Sequence, residues 1–142
     1  MNWRDEGIEL DTQMKQFLLE LAKALSDLRE YDDAATLLVG LQHLVVYREV
    51  PLGQLAAIQA DRRLWPEALS TIDRALGYNP ESIRNHTLRA EILFGMGDAE
   101  RAHDALRSAR RLGQGTAEDM AYLDGVILDI DARGERTEGV QS

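Results

Sequence analysis

Apolar residues in this chain return every three or four positions, and the pattern itself returns every 34. Between residues 49 and 82, Leu52, Leu55, Ala56 and Gln59 share one face of a first helix, while Ala68, Leu69, Ile72, Ala75 and Leu76 form a stripe on a second. This i, i+3, i+4, i+7 spacing is that of an amphipathic helix. The 34-residue step links Ala22, Ala56 and Ala90, and again Ala34, Ala68 and Ala102. It also links Leu38, Ile72 and Leu106, and Leu41, Ala75 and Ala109. Tyr31 and Trp65 follow it with Ala99 in the third place, and Leu21, Leu55 and Leu123 follow it with Arg89 interrupting. A period of this length marks stacked helix pairs, so the units run over about 15–48, 49–82 and 83–116.

The punctuation predicts where helices stop and start. Pro66 suits a first helical turn, where its missing N–H costs nothing. Gly77 suits a left-handed stop, and Asn79 followed by Pro80 reads as a cap and a first helical residue. Gly97 can end one helix and Asp98 cap the next. Gly113-Gln114-Gly115 is a break, after which Thr116 and Asp119 have the spacing of a capping box. A last helix, 116–132, carries Met120, Leu123, Ile127 and Ile130 at helical spacing and would cover the final apolar face of a solenoid. Residues 1–14 read as an arm or an extension of the first helix, and 133–142 as a disordered tail. The predicted fold is all-α: a helical solenoid of three helix pairs plus a C-terminal capping helix, over 15–132. Small side chains let antiparallel helices approach closely. Ala22, Ala34, Ala56, Ala68, Ala90 and Ala102 are therefore the expected packing points within each pair, with the larger 38/72/106 column filling the space between pairs.

Charge narrows the partners. The chain has 142 residues and a formal net charge of −9. Residues 1–35 carry nine acids and four bases, residues 117–142 seven acids and two bases, and the middle nine acids and ten bases. The ends are thus each −5 and the middle +1. Such a chain repels phosphate backbones, which argues against nucleic acid. The start, Met1-Asn2-Trp3-Arg4-Asp5-Glu6, lacks the basic and apolar segments of a signal peptide. The longest uncharged run, Ala34 to Tyr47, is too short to span a bilayer. With no cysteine, disulfides, thiolate metal sites and cysteine nucleophiles drop out. These features together lead to the expectation of a cytoplasmic protein without membrane insertion.

Catalytic and cofactor chemistry is sparse. His43, His86 and His103 have no second histidine or cysteine at ligand spacing, so no metal is expected. Gly95-x-Gly97 and Gly113-x-Gly115 lack a preceding strand and a third glycine and read as helix stops, not phosphate cradles. Asp129-x-Asp131-x-x-Gly134 has Arg133 at a ligand position and Val140 where a calcium loop needs Glu. No carboxylate pair stands isolated in an apolar setting of the kind that raises one pKa. Neither an enzyme nor a cofactor is expected. Arg107, Arg110 and Arg111 at a helix end interact favourably with the helix dipole, or offer a patch to an acidic partner.

The repeat resembles the tetratricopeptide repeat. The second unit carries that family's pattern at Leu52, Leu55, Ala56, Trp65, Ala68, Ile72, Ala75 and Pro80, departing at Gln59. The first carries it at Leu18, Leu21, Ala22, Leu25, Tyr31, Ala34 and Leu38, and the third at Ala90, Gly97, Ala102, Leu106 and Ala109. The resemblance implies a tetratricopeptide-like solenoid that binds protein along the concave face of its first helices. Transferred by position, that groove would present Leu19, Lys23, Val50, Gly53, Ala57, Arg84, Thr87, Glu91 and Phe94. The set lacks the Lys/Arg and Asn pattern of the two-carboxylate clamp of heat-shock co-chaperones. In size, acidity and the run Ala90 to Ala102, the chain is similar to small tetratricopeptide chaperones of bacterial type III secretion systems. That resemblance implies a non-catalytic module of the bacterial cytoplasm. Its groove would hold a needle, translocator or export-apparatus client as an amphipathic helix or extended segment. The alternative is a general scaffold or adaptor that self-associates or bridges subunits of another complex. Its homodimer seam would run along Leu37, Leu41, Leu44 and Val45, unless that column packs on the next repeat.

Overall fold

The computed structural model describes residues 11–141, with side chains through 136. Seven helices follow one another among these residues: α1 (Thr12–Asp27), α2 (Tyr31–Leu41), α3 (Glu49–Asp61), α4 (Trp65–Tyr78), α5 (Ile83–Gly95), α6 (Ala99–Leu112) and α7 (Ala117–Gln141). Among the described residues there is no strand. The first six helices form three pairs, and all six repeat alanines, Ala22, Ala34, Ala56, Ala68, Ala90 and Ala102, are at most 1% exposed. The 38/72/106 column is buried too and fills the space between pairs. Three apolar clusters result, each joining one pair to the first helix of the next unit. α1 meets α3, α3 meets α5 and α5 meets α7, whereas the backbones of α2 and α4, and of α4 and α6, stay apart. The first helices therefore crowd together while the second helices fan apart, which curves the stack and puts α1, α3, α5 and α7 on its concave side.

The turn inside each pair repeats atom for atom. Glu30 donates its N–H to the Leu25 carbonyl at 2.8 Å, Leu64 to Gln59 at 2.9 Å, and Asp98 to Leu93 at 2.9 Å. The preceding residues, Arg29, Arg63 and Gly97, all have positive φ, at 62°, 57° and 84°. This is the left-handed helix stop with its six-to-one hydrogen bond. Only the third unit places glycine there. Asp98 then caps α6 by accepting the Arg101 N–H at 3.1 Å, as expected from its position after Gly97. Gly113, at φ 67°, ends α6. Thr116 Oγ1 accepts the Asp119 N–H at 3.0 Å and opens α7.

Other boundaries differ from the sequence reading. Gly77 does not stop α4, which continues to Tyr78. Asn79 does not cap α5 either. Its side chain accepts the Glu81 N–H at 3.0 Å to close a turn over Pro80, and Ser82 caps the helix by accepting the Asn85 N–H. Asp11 caps α1 through the Met14 N–H at 2.7 Å, so 12–14 are helix and 1–10 lie outside the described residues. Residues 133–141, expected as a disordered tail, continue α7 as helix. Gly134 and Gly139 each cost about 1 kcal/mol of helix propensity, and the i,i+4 pair of Asp129 with Arg133 at 3.2 Å offsets part of that. Arg89, which interrupts the leucine column, ties α5 to α4 through Asp73 at 2.7 Å. Of the column Leu37, Leu41, Leu44 and Val45, Leu41 is fully buried and Leu37 packs on the first core cluster, whereas Leu44 and Val45 are half-buried.

Candidate functional site

The concave side carries three adjoining cavities. The first, of about 190 Å³, lies at the α3–α5 edge and includes Val50, Gly53, Gln54, Arg84 and Asn85 in its lining. The second, of about 160 Å³, shares Gln54 and Arg84 with it and adds Lys23, Ala57 and Asp61. The third and largest, about 590 Å³, shares Ala57 and Asp61 with the second and reaches Glu91, Phe94 and the α7 side chains Tyr122, Asp129 and Ile130. The shared residues make the three a continuous trough. Gln54 stands at its middle, and its side-chain oxygen is buried without a hydrogen-bond partner.

Seven of the nine sequence-derived groove residues line this trough: Lys23, Val50, Gly53, Ala57, Arg84, Glu91 and Phe94. Leu19 does not; it packs against the first core cluster. Thr87 is fully buried and donates its hydroxyl to the Ile83 carbonyl at 2.8 Å. The reason is enclosure: α5 is flanked by α3, α4, α6 and α7, which leaves only a narrow strip open to the trough. Gly53 reaches the lining through its backbone, because a Cβ there would stand 2.6 Å from Asn85 Oδ1. The sequence reading missed Asp61, Gln54 and the α7 wall, since α7 departs from the 34-residue step and puts exposed Asp124 where Ala22, Ala56 and Ala90 stand.

Electrostatics concentrate at the α7 end. Tyr122 donates its hydroxyl to Glu91 across the α5–α7 seam. Burial pushes the Glu91 carboxyl above its usual range, while the Tyr122 hydrogen bond pulls it down and Asp129 and Asp61 push it further up. Burial also raises Tyr122, and the neighbouring Glu91 charge adds to it. Asp61 is raised as well, chiefly by burial, against the lowering effect of Arg29. Among the described residues no group of His, Cys, Asp and Glu could hold a metal ion. Among them, no helix is long and apolar enough to cross a membrane.

The fold matches solved tetratricopeptide-like structures. The type III secretion translocator chaperone SycD of Yersinia enterocolitica superposes with a TM-score of 0.77 at 20% identity, covering 86% of this chain and 91% of that one. PcrH of Pseudomonas aeruginosa gives 0.75 at 21% identity, with 87% and 93% covered. PcrH in complex with the chaperone-binding region of PopD gives 0.74 at 21% identity, with 90% and 96% covered. No protein-family model matches the sequence, and no curated protein does. At these identities the likeness establishes the architecture, a tetratricopeptide-like solenoid closed by a long C-terminal helix.

Proposed function

We propose that this protein is a chaperone of the bacterial cytoplasm that holds a translocator of a type III secretion system in its concave trough. The carrying observation is the continuity of the three cavities along α1, α3, α5 and α7. A row of linked cavities fits an extended chain that seats alternate side chains. Its lining is mixed: Val50, Ala57, Leu88 and Phe94 supply apolar surface, and Lys23, Arg84, Asp61 and Glu91 the charge. The structure of SycD with a peptide of the translocator YopD supports a translocator over the needle or export-apparatus clients that the sequence also allowed.

Purification of the chain from its native cell, with identification of the co-purifying protein, tests the reading. A secreted translocator subunit is the expected result. Ala57 stands where the largest cavity meets the central one, so Ala57→Glu should abolish co-purification and leave the melting temperature within a few degrees. The complex should also survive moderate salt, because apolar burial is not screened. Retention of the same partner by Ala57→Glu would remove the trough from consideration. A partner set drawn from another machine would favour the adaptor reading instead.

A further inference from the structure

The largest cavity differs in kind from the other two. Its lining is more polar than apolar, and its apolar part is one sector formed by Trp65 and Phe94 with Leu88 and Ile130 behind them. Trp65 is fixed there by a glycine. A Cβ at Gly95 would stand 2.6 to 2.8 Å from three atoms of the indole, so the ring lies directly on the α5 backbone. Around this apolar seat stand three carboxylates from three helices, Asp61 on α3, Glu91 on α5 and Asp129 on α7, against two guanidinium groups, Arg63 and Arg133. Asp129 is already matched, by Arg133 at 3.2 Å. Glu91 is held by a neutral donor, the Tyr122 hydroxyl.

We propose that this chamber seats an arginine side chain of the bound client, with its stem and planar head against Trp65 and Phe94 and its N–H groups on Glu91 and Asp61. The proposal deepens the groove reading and rests on it. An aliphatic side chain would fill the apolar sector but would further desolvate Glu91 and Asp61, with only the Tyr122 hydroxyl and the nearby Arg29 charge to offset the cost. An acidic one would add a fourth carboxylate. Lysine would meet the charge but not the shape, because only guanidinium stacks flat on an aromatic face and presents a fork of donors. The volume, about 590 Å³, leaves room for one long side chain and the backbone that carries it.

The test uses the full chain and small probes. N-acetyl-arginine amide is titrated while the Trp65 indole and Gly95 amide resonances are followed by NMR, with N-acetyl-norleucine amide and N-acetyl-glutamate amide as comparisons. The expected result is a saturable shift at both resonances with the arginine probe alone. Glu91→Gln keeps an acceptor for Tyr122 and should weaken that binding about tenfold, the order expected for loss of a charged hydrogen-bond partner. Asp61→Asn, at an exposed position, should act in the same direction. Norleucine or glutamate matching arginine, or arginine binding unchanged in both variants, overturns the chamber. That failure is distinct from failure of the groove: a translocator still captured by the wild type and lost in Ala57→Glu would leave the groove standing without an arginine seat.

Discussion

Within each pair the tightest points of the molecule are methyl groups. Ala68 is fully buried between α3 and α4, so Ala68→Leu should lower stability by about 1–3 kcal/mol through overpacking; a thermal melt reads the loss, and an unchanged melt would mean the pair yields at that point. The helix stops at positions 29, 63 and 97 have the opposite character. A side chain in the left-handed region costs about 1–2 kcal/mol, and Arg29 and Arg63 bear that cost where Gly97 does not. Arg29→Gly should therefore raise stability by about 0.5–1 kcal/mol, after the extra flexibility glycine gives the unfolded chain. Gly97→Ala should lower it by a similar amount, and opposite signs in denaturant midpoints are the check. The alanine columns were legible in the sequence because one steric demand recurs with one residue type. The column 29/63/97 was not, because Arg, Arg and Gly share no chemistry and only the backbone shows what they have in common.

Among the elements, α7 does more than cover an apolar end. Leu123, Val126 and Ile130 complete the last core cluster, and Tyr122 reaches Glu91 to form the wall of the largest cavity. The sequence carried the first role in its apolar spacing. The second depends on how α7 rotates against α5, which no repeat position specifies. The half-buried Glu91 makes this seam sensitive to pH. Its carboxyl titrates above its ordinary value of 4.5, chiefly because of burial. The folded protein thus binds a proton that the unfolded chain releases in the window just above 4.5, and the group's contribution to stability rises as pH falls through that window. Replacing Glu91 with Gln, which mimics the protonated form, should stabilise the chain most at neutral pH. The advantage should shrink as pH approaches 4.5. Melting temperatures of the two proteins across that range would decide it, and parallel curves would mean that Glu91 does not titrate with folding.

At the scale of the whole molecule the cores are unequal. The cluster around α5, α6 and α7 contains ten buried apolar residues, and the one joining α1 and α2 to α3 contains five. Moreover, α1 leaves Met14, Phe17 and Leu21 substantially exposed, so its far side gains little packing from the described residues. In a solenoid each unit is stabilised only by itself and its neighbours, and a weak terminal unit can open while the rest stays folded. Native-state hydrogen exchange should then find amides of α1 and α2 opening at a lower free energy than those of α5 to α7. Leu38→Ala, at a fully buried site in α2, removes about 2–5 kcal/mol of local packing. It should accelerate exchange in α1 and α2 while protection in α5 and α6 stays near the wild-type level. Leu93→Ala, at an equally buried site in α5, should reach further, because α5 touches α3, α4, α6 and α7. Equal loss of protection across all seven helices in both variants would mean that the stack unfolds as a single unit.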